Sequence, residues 1–156
     1  MGYLRVIEAD AGDFAEICRL EQECFSAPWP VEVLYEDICA NKNRYFLLKD
    51  GEEAVGYAGV WMILDEAHIN KICVSPGHRG KGYGKHLMQG ILEAVWRLGA
   101  DSLTLEVRRS NAAAISMYVD FGFSVEGIRK NYYEDTGEDA LVMWKKGIRM
   151  EMEQRA

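Results

Sequence analysis

The sequence predicts one mixed α/β domain, and three observations predict it. Apolar residues recur with a period of two in some segments and near 3.6 in others. The two kinds of segment follow one another as β, α, α, β, β, β, α, β, α, β, β. No repeat, low-complexity tract or linker interrupts the 156 residues, a length that fills one sizeable core. Hydrophobic residues make up 49% and charged residues 28%, with only three prolines. Such a composition buries enough surface to fold, which excludes a disordered chain.

Tyr3 to Ala9 alternates as a first strand, after which Asp10 or Asp13 can cap a helix. That helix would present Phe14, Ile17, Cys18, Leu20, Cys24 and Phe25 on its apolar face. Ser26-Ala27-Pro28-Trp29-Pro30 stops it, since neither proline can extend a helical ladder. Val31 to Ala40 is a second short helix with Val33, Leu34 and Ile38 on one side. Two β runs follow, Tyr45 to Lys49 and Ala54 to Ile63, joined by the turn Asp50-Gly51-Glu52. Ala67 to Val74 is a further strand, ended by Ser75-Pro76-Gly77. Beyond a glycine-rich turn, Leu87, Met88, Ile91, Leu92, Val95 and Trp96 mark a long amphipathic helix that runs to Gly99. Ser102 to Val107 is the next strand. Asn111 caps a helix carrying Ile115, Tyr118 and Phe121, and Gly122-Phe123 leads into two last strands, Ser124 to Tyr133 and Asp139 to Lys145. The domain is expected to span residues 1–150. The charged end, Ile148 to Ala156, reads as frayed or a short helix, with 151–156 as a tail.

Eighteen Lys and Arg against 25 Asp and Glu leave a net charge of −7. A protein that coats nucleic acid through its phosphates needs the opposite balance. The four cysteines, Cys18, Cys24, Cys39 and Cys73, form no C-x-x-C pair and have no close histidine. Buried thiols in a reducing compartment are therefore expected, with no metal site. Met1 to Asp10 has no apolar core of a secretory signal. The longest apolar stretch, Ala54 to Leu64, contains Gly56 and Gly59 and is too short to span a bilayer. A soluble, cytoplasmic protein is the expectation.

Arg79-Gly80-Lys81-Gly82-Tyr83-Gly84-Lys85 lies between a strand and a helix. Glycines there let main-chain N–H groups approach a ligand with no Cβ in the way, and a helix N-terminus adds the positive end of a dipole. With Arg79, Lys81 and Lys85 the turn suits a phosphate. The spacing G-x-G-x-G is not the dinucleotide pattern G-x-G-x-x-G. Gly77 and Gly82 have the spacing of a nucleotide-triphosphate loop, but Tyr83 stands where that loop needs lysine.

The pattern R-x-x-G-x-G after Ile72-Cys73-Val74-Ser75-Pro76 resembles the pyrophosphate loop of the GCN5-related N-acetyltransferases. Further stretches are similar to the RimI-type branch, the ribosomal-protein-alanine N-acetyltransferases: Leu105-Glu106-Val107-Arg108, Ser110-Asn111-Ala112-Ala113-Ala114-Ile115, Tyr118, Phe121-Gly122-Phe123, and Arg129-Lys130-Asn131-Tyr132-Tyr133. The likeness runs from Tyr3 to about Met150. It implies the acyl-CoA N-acyltransferase fold and acetyl-CoA as co-substrate. The implied coenzyme contacts are Ile72, Cys73 and Val74, then Arg79, Gly80, Lys81, Gly82, Tyr83, Gly84 and Lys85, and the side-chain amide of Asn111. N-capping alone would also justify an asparagine at 111.

Transfer of an acetyl group to an amine needs a proton acceptor, an oxyanion donor and an acid for the leaving thiolate. Glu106 alternates out of the apolar set Leu103, Leu105 and Val107; taken alone it could be a solvated strand carboxylate, and the resemblance makes it the base. Tyr118 lies seven residues after Asn111, two helical turns on. It could be a core aromatic with its hydroxyl at the rim, and the resemblance makes it the acid. The resemblance also implies a main-chain N–H near Val74 as oxyanion donor.

On the acceptor side, the resemblance points to Phe25 and Trp29 in one segment and to Tyr132 and Tyr133 in another, although the two tyrosines could equally pack the last strands. Glu134, Asp135, Glu138 and Asp139 could form an acidic rim for an arginine-rich N-terminus such as that of ribosomal small-subunit protein 18, or simply a solvated turn. His68, His78 and His86 are assigned no catalytic role. Ser26-Ala27-Pro28-Trp29-Pro30 departs from the family's phenylalanine–proline–tryptophan–serine pattern. The expected partners are acetyl-CoA and a protein or peptide N-terminus, with no nucleic acid and no membrane. Two other functions fit less of the chain: transfer to a lysine side chain or small-molecule amine, and a non-catalytic acyl-CoA-binding or assembly module.

Overall fold

The computed structural model describes residues 3–40 and 42–155. Seven strands and five α-helices form among them: β1 (Leu4–Glu8), α1 (Phe14–Cys24), α2 (Val31–Ala40), β2 (Asn43–Asp50), β3 (Glu53–Ile63), β4 (Glu66–Val74), α3 (Tyr83–Arg97), β5 (Ser102–Arg108), α4 (Ala112–Asp120), β6 (Ser124–Tyr133), β7 (Glu138–Lys146) and α5 (Ile148–Arg155). The strands make one mixed sheet in the order β1-β2-β3-β4-β5-β7-β6, so the expected α/β class is what the chain adopts. The chain divides into two compact units, Met1–Trp61 with Asn70–Ala94, and Met62–Ile69 with Val95–Ala156.

In the first unit, β1, β2 and β3 form an antiparallel meander. Its core joins Ile17 and Leu20 of α1, Leu34 of α2, Tyr45 and Leu47 of β2, and Ala54 and Tyr57 of β3. Of the two candidate caps, Asp10 caps the 3₁₀ turn that leads into α1, while Asp13, at the N-cap of α1 itself, makes no side-chain cap bond there. The Asp10 carboxylate accepts from Gly12 N–H, and Asp13 accepts from Asp10 N–H at 3.0 Å, a reciprocal box that closes a short 3₁₀ turn. The helix stops one residue earlier than its apolar pattern predicts. Phe25 is already extended (φ −122°, ψ 135°), because the segment must turn toward Pro28. Val33 is 48% exposed rather than part of the buried side of α2. Leu34, its neighbour, takes the core position.

In the second unit, the first residues of β4 run parallel to β5, from Glu66 opposite Ser102 to Ile69 opposite Leu105. β5 pairs antiparallel with β7, and β7 with β6. Leu103, Leu105 and Val107 are buried on one side of β5, as their alternation predicts. β6 is an edge strand with mostly exposed side chains, and its register slips between Arg129 and Tyr133 around Asn131, which sits at φ +53°. The C-terminal segment is a docked helix. Ile148 is fully buried and Met152 nearly so, and Ile148 and Arg149 N–H groups donate to Asp101. The position between 150 and 151 falls inside α5.

The four cysteines are free thiols, but the expectation that all are buried needs correction. Cys39 is exposed, and Cys18, Cys24 and Cys73 are half-buried. No helix among the described residues is long and apolar enough to cross a membrane.

Candidate active site

The first unit holds the glycine-rich turn. β4 ends at Val74, and Ser75 N–H donates to Val55 O at 2.7 Å. A 3₁₀ turn over Pro76–His78 then leads to the glycines. Gly80 (φ +77°) and Gly82 (φ +81°) occupy the left-handed region, and nothing stands within 4 Å of where a Cβ would sit. The backbone needs glycine there, and the space beside it is open. Tyr83, Gly84 and Lys85 form the first turn of α3, which has 15 residues. Their N–H groups therefore belong to the unsatisfied set at a helix N-terminus. Arg79 is tied by its Nε to Val74 O at 2.9 Å, while Arg79, Lys81 and Lys85 are all exposed around the turn. Tyr83 is anchored instead of free: its hydroxyl donates to Asp50 at 2.8 Å, and its ring stacks on His78. Open glycine backbone, a long helix's N-terminus and three cations suit a polyanionic diphosphate.

Ile72, Cys73 and Val74 end β4 beside this turn, each half-buried. The Cys73 thiol is pushed up by its contact with the Cys24 thiol and by burial. Gly56 lies so close that a Cβ there would come within 2.7 Å of Cys73 O.

Phe25 and Trp29, the predicted acceptor-side aromatics, come together over a residue that sequence reasoning passed over. Lys71 Nζ sits 4.4 Å from the Phe25 ring centroid and 4.1 Å from that of Trp29. The same ammonium pairs with Glu21, which is wholly buried and also accepts from the Tyr57 hydroxyl and, at 2.7 Å, from Trp29 N–H. Burial lowers the Lys71 pKa while Glu21 pulls it back up.

In the second unit, the Glu106 side chain is only 10% exposed. Its Oε2 accepts from His68 Nε2 at 2.7 Å, and Arg129 Nη1 stands 3.8 Å from Oε1. Tyr118 on α4 is buried against Phe123, their centroids 5.7 Å apart. Burial, with a smaller effect of Tyr133, pushes its phenol up to about 12. Asn111 caps α4 with Oδ1, which accepts from Ala114 N–H at 3.2 Å. Tyr132 and Tyr133 meet edge to face, their centroids 5.1 Å apart. Arg129 lies over Tyr132, and Arg108 lies 4.0 Å over Tyr133.

The acidic rim is corrected by its partners. Asp135 and Glu138 both pair with Arg108, Glu138 also accepts from Ser110 N–H, and Asp139 binds Arg109 and Asn131 N–H. Hydrogen bonds from Arg108 hold the Asp135 carboxyl below its ordinary value, and those from Ser110 do so for Glu138. Three of the four acids thus brace the β6–β7 turn instead of facing solvent unpaired.

Three further residues stand beside the candidates: the sequence reading passed over Lys71 and Glu21 and assigned His68 no catalytic role. His68 had a signal: it alternates with buried Ala67 and Ile69, and a parallel neighbour would set it opposite Thr104. Glu21 had none, because its partners Tyr57 and Lys71 lie 36 and 50 residues away. Among the described residues no three His, Cys, Asp or Glu side chains converge as metal ligands.

Known proteins share this architecture. Residues 14–123 match the acetyltransferase (GNAT) family. The ribosomal protein bS18-alanine N-acetyltransferase of Escherichia coli K12 is 33% identical over 133 residues, covering 84% of this chain and 89% of its own. A Bacillus subtilis 168 relative, whose name gives that activity provisionally, is 40% identical over 134 residues, covering 85% and 88%. The crystal structure of the E. coli ribosomal-protein-S18-alanine N-acetyltransferase superposes with a TM-score of 0.85 at 29% identity, covering 93% of this chain and 94% of that one. Ard1 from Thermoplasma volcanium shares the fold with a TM-score of 0.80 at 23% identity over 92% and 97% of the two chains. The family match over residues 14–123 and relatives at 33–40% identity over about 85% of the chain agree, and the chain belongs to the GNAT acetyltransferase family.

Proposed function

We propose that this chain acetylates the α-amino group at a protein N-terminus, with the N-terminal alanine of ribosomal protein bS18 as acceptor. The acceptor follows from what its relatives' names state. A ribosomal acceptor puts the reaction in the cytoplasm. Acetyl-CoA supplies the acyl group as an activated thioester. The open turn from Arg79 to Lys85 binds its diphosphate, the main chain of Ile72, Cys73 and Val74 holds the arm that leads to the thioester, and the free amide nitrogen of Asn111 adds a further contact. The resemblance assigns Phe25, Trp29, Tyr132 and Tyr133 to the acceptor peptide.

The observation that carries the chemistry is Glu106, a carboxylate one-tenth exposed and held by a directed bond from His68. A free α-amino group has a pKa of about 8 and is mostly protonated at neutral pH. Glu106 takes the proton that the amine must lose before attack. A main-chain N–H near Val74 receives the charge that develops on the carbonyl oxygen. Tyr118, which keeps its proton to about pH 12, gives it to the departing thiolate and is reprotonated by solvent. Glu106→Gln tests this most simply. It should bind acetyl-CoA as the parent does, by calorimetry, and lose roughly 100- to 10,000-fold in kcat. Full turnover at saturating acceptor would remove Glu106 from the mechanism.

A further inference from the structure

We propose that His68 is a positioning residue for this reaction, holding Glu106 in its accepting geometry; the inference rests on the assignment of Glu106 as base. Register, bond length and burial converge on it. The parallel ladder sets His68 opposite Thr104, so that Glu106, two residues further on the same side of β5, comes within reach of the ring. The resulting bond is 2.7 Å from Nε2 to Oε2, the length of a charge-assisted hydrogen bond. The carboxylate is nearly desolvated, at 10% exposure, while the imidazole keeps 30%.

A carboxylate can only accept, so His68 donates from Nε2. That bond occupies Oε2 and fixes the side-chain rotation. Oε1 is left to meet the acceptor amine. Its other neighbour, Arg129, stands 3.8 Å off and is 58% exposed, so it adds a screened charge rather than a directed bond. The remaining polar group whose charge couples to Glu106 is the Tyr133 phenol, half-buried on β6. Among the described residues, His68 is thus the one near, directed donor to Glu106, and a desolvated anion without such a donor loses both orientation and stability.

The test is a cycle of variants in the full chain, with kcat and KM for an alanine-initiated peptide, acetyl-CoA affinity by calorimetry, and thermal melting to confirm folding. His68→Leu should lower kcat roughly 10- to 100-fold, the worth of one hydrogen bond to a charged group, with acetyl-CoA affinity unchanged. His68→Gln keeps an N–H donor and should recover most of the loss. In a Glu106→Gln background, His68→Leu should have almost no further effect, because a group that acts through Glu106 has nothing left to position. Parental kcat in His68→Leu would overturn the proposal. So would an undiminished loss in the Glu106→Gln background, or no recovery in His68→Gln. Parental turnover in Glu106→Gln alone would instead overturn the assignment of the base, so the two failures are distinct.

Discussion

Burial decides what single side chains can do here. Tyr118 is 5% exposed, and its phenol is pushed from 10.0 up to about 12, chiefly by desolvation. Between those values the unfolded chain gives up the proton while the folded chain keeps it. The stabilisation is complete below about pH 10 and is lost as pH rises through about 12, amounting to about 2–3 kcal/mol. Tyr118→Phe should therefore flatten the fall of stability across that window, read by urea denaturation at stepped pH; an unchanged slope would contradict the burial argument. Glu21 shows the same force acting on a charge. It is wholly buried, and only the Lys71, Tyr57 and Trp29 donors around it make an anion tolerable there. The role of Glu21 was illegible in the sequence, where it reads as one more polar position on α1. Alternation set Glu106 apart from Leu103, Leu105 and Val107, but only the resemblance suggested a base there.

At the scale of elements, close approach explains choices that propensity does not. Gly90 sits inside α3, where alanine would be favoured by about 1 kcal/mol. A Cβ at 90 would stand 2.6 Å from Val6 Cβ on β1, so helix and strand pack too tightly for a methyl group. Gly90→Ala should lower stability by about 1–3 kcal/mol in chemical denaturation, overpacking outweighing propensity; a more stable variant would show that the packing yields. The strands and the first four helices were readable from period and punctuation, since proline, glycine and capping Asp or Asn mark their ends. α5 was not. It has few apolar residues, and Ile148 and Met152 are buried because its first turn is pinned to Asp101, nearly fifty residues earlier. Local pattern carries no trace of such a partner. The pairing of the acidic stretch from Glu134 to Asp139 was hidden for the same reason, its charges being answered by Arg108 and Arg109 on and just after β5.

For the whole molecule, topology sets which chemistry-bearing residues meet. His68 and Glu106 are 38 residues apart and become neighbours only through the parallel pairing of β4 with β5. Nothing in the spacing of the two residues announces that pairing. The glycine-rich turn was legible because one short segment holds its glycines, cations and helix start together. The central claim is that the amine acetylated is a protein's N-terminal α-amino group. The most direct measurement is mass-spectrometric mapping after incubation with acetyl-CoA and two peptides, one beginning with a free alanine and lacking lysine, the other N-terminally blocked with an internal lysine. Acetyl should appear on the alanine nitrogen of the first and be absent from the second. Acetyl on the blocked peptide's lysine, with the free alanine unmodified, would contradict the account.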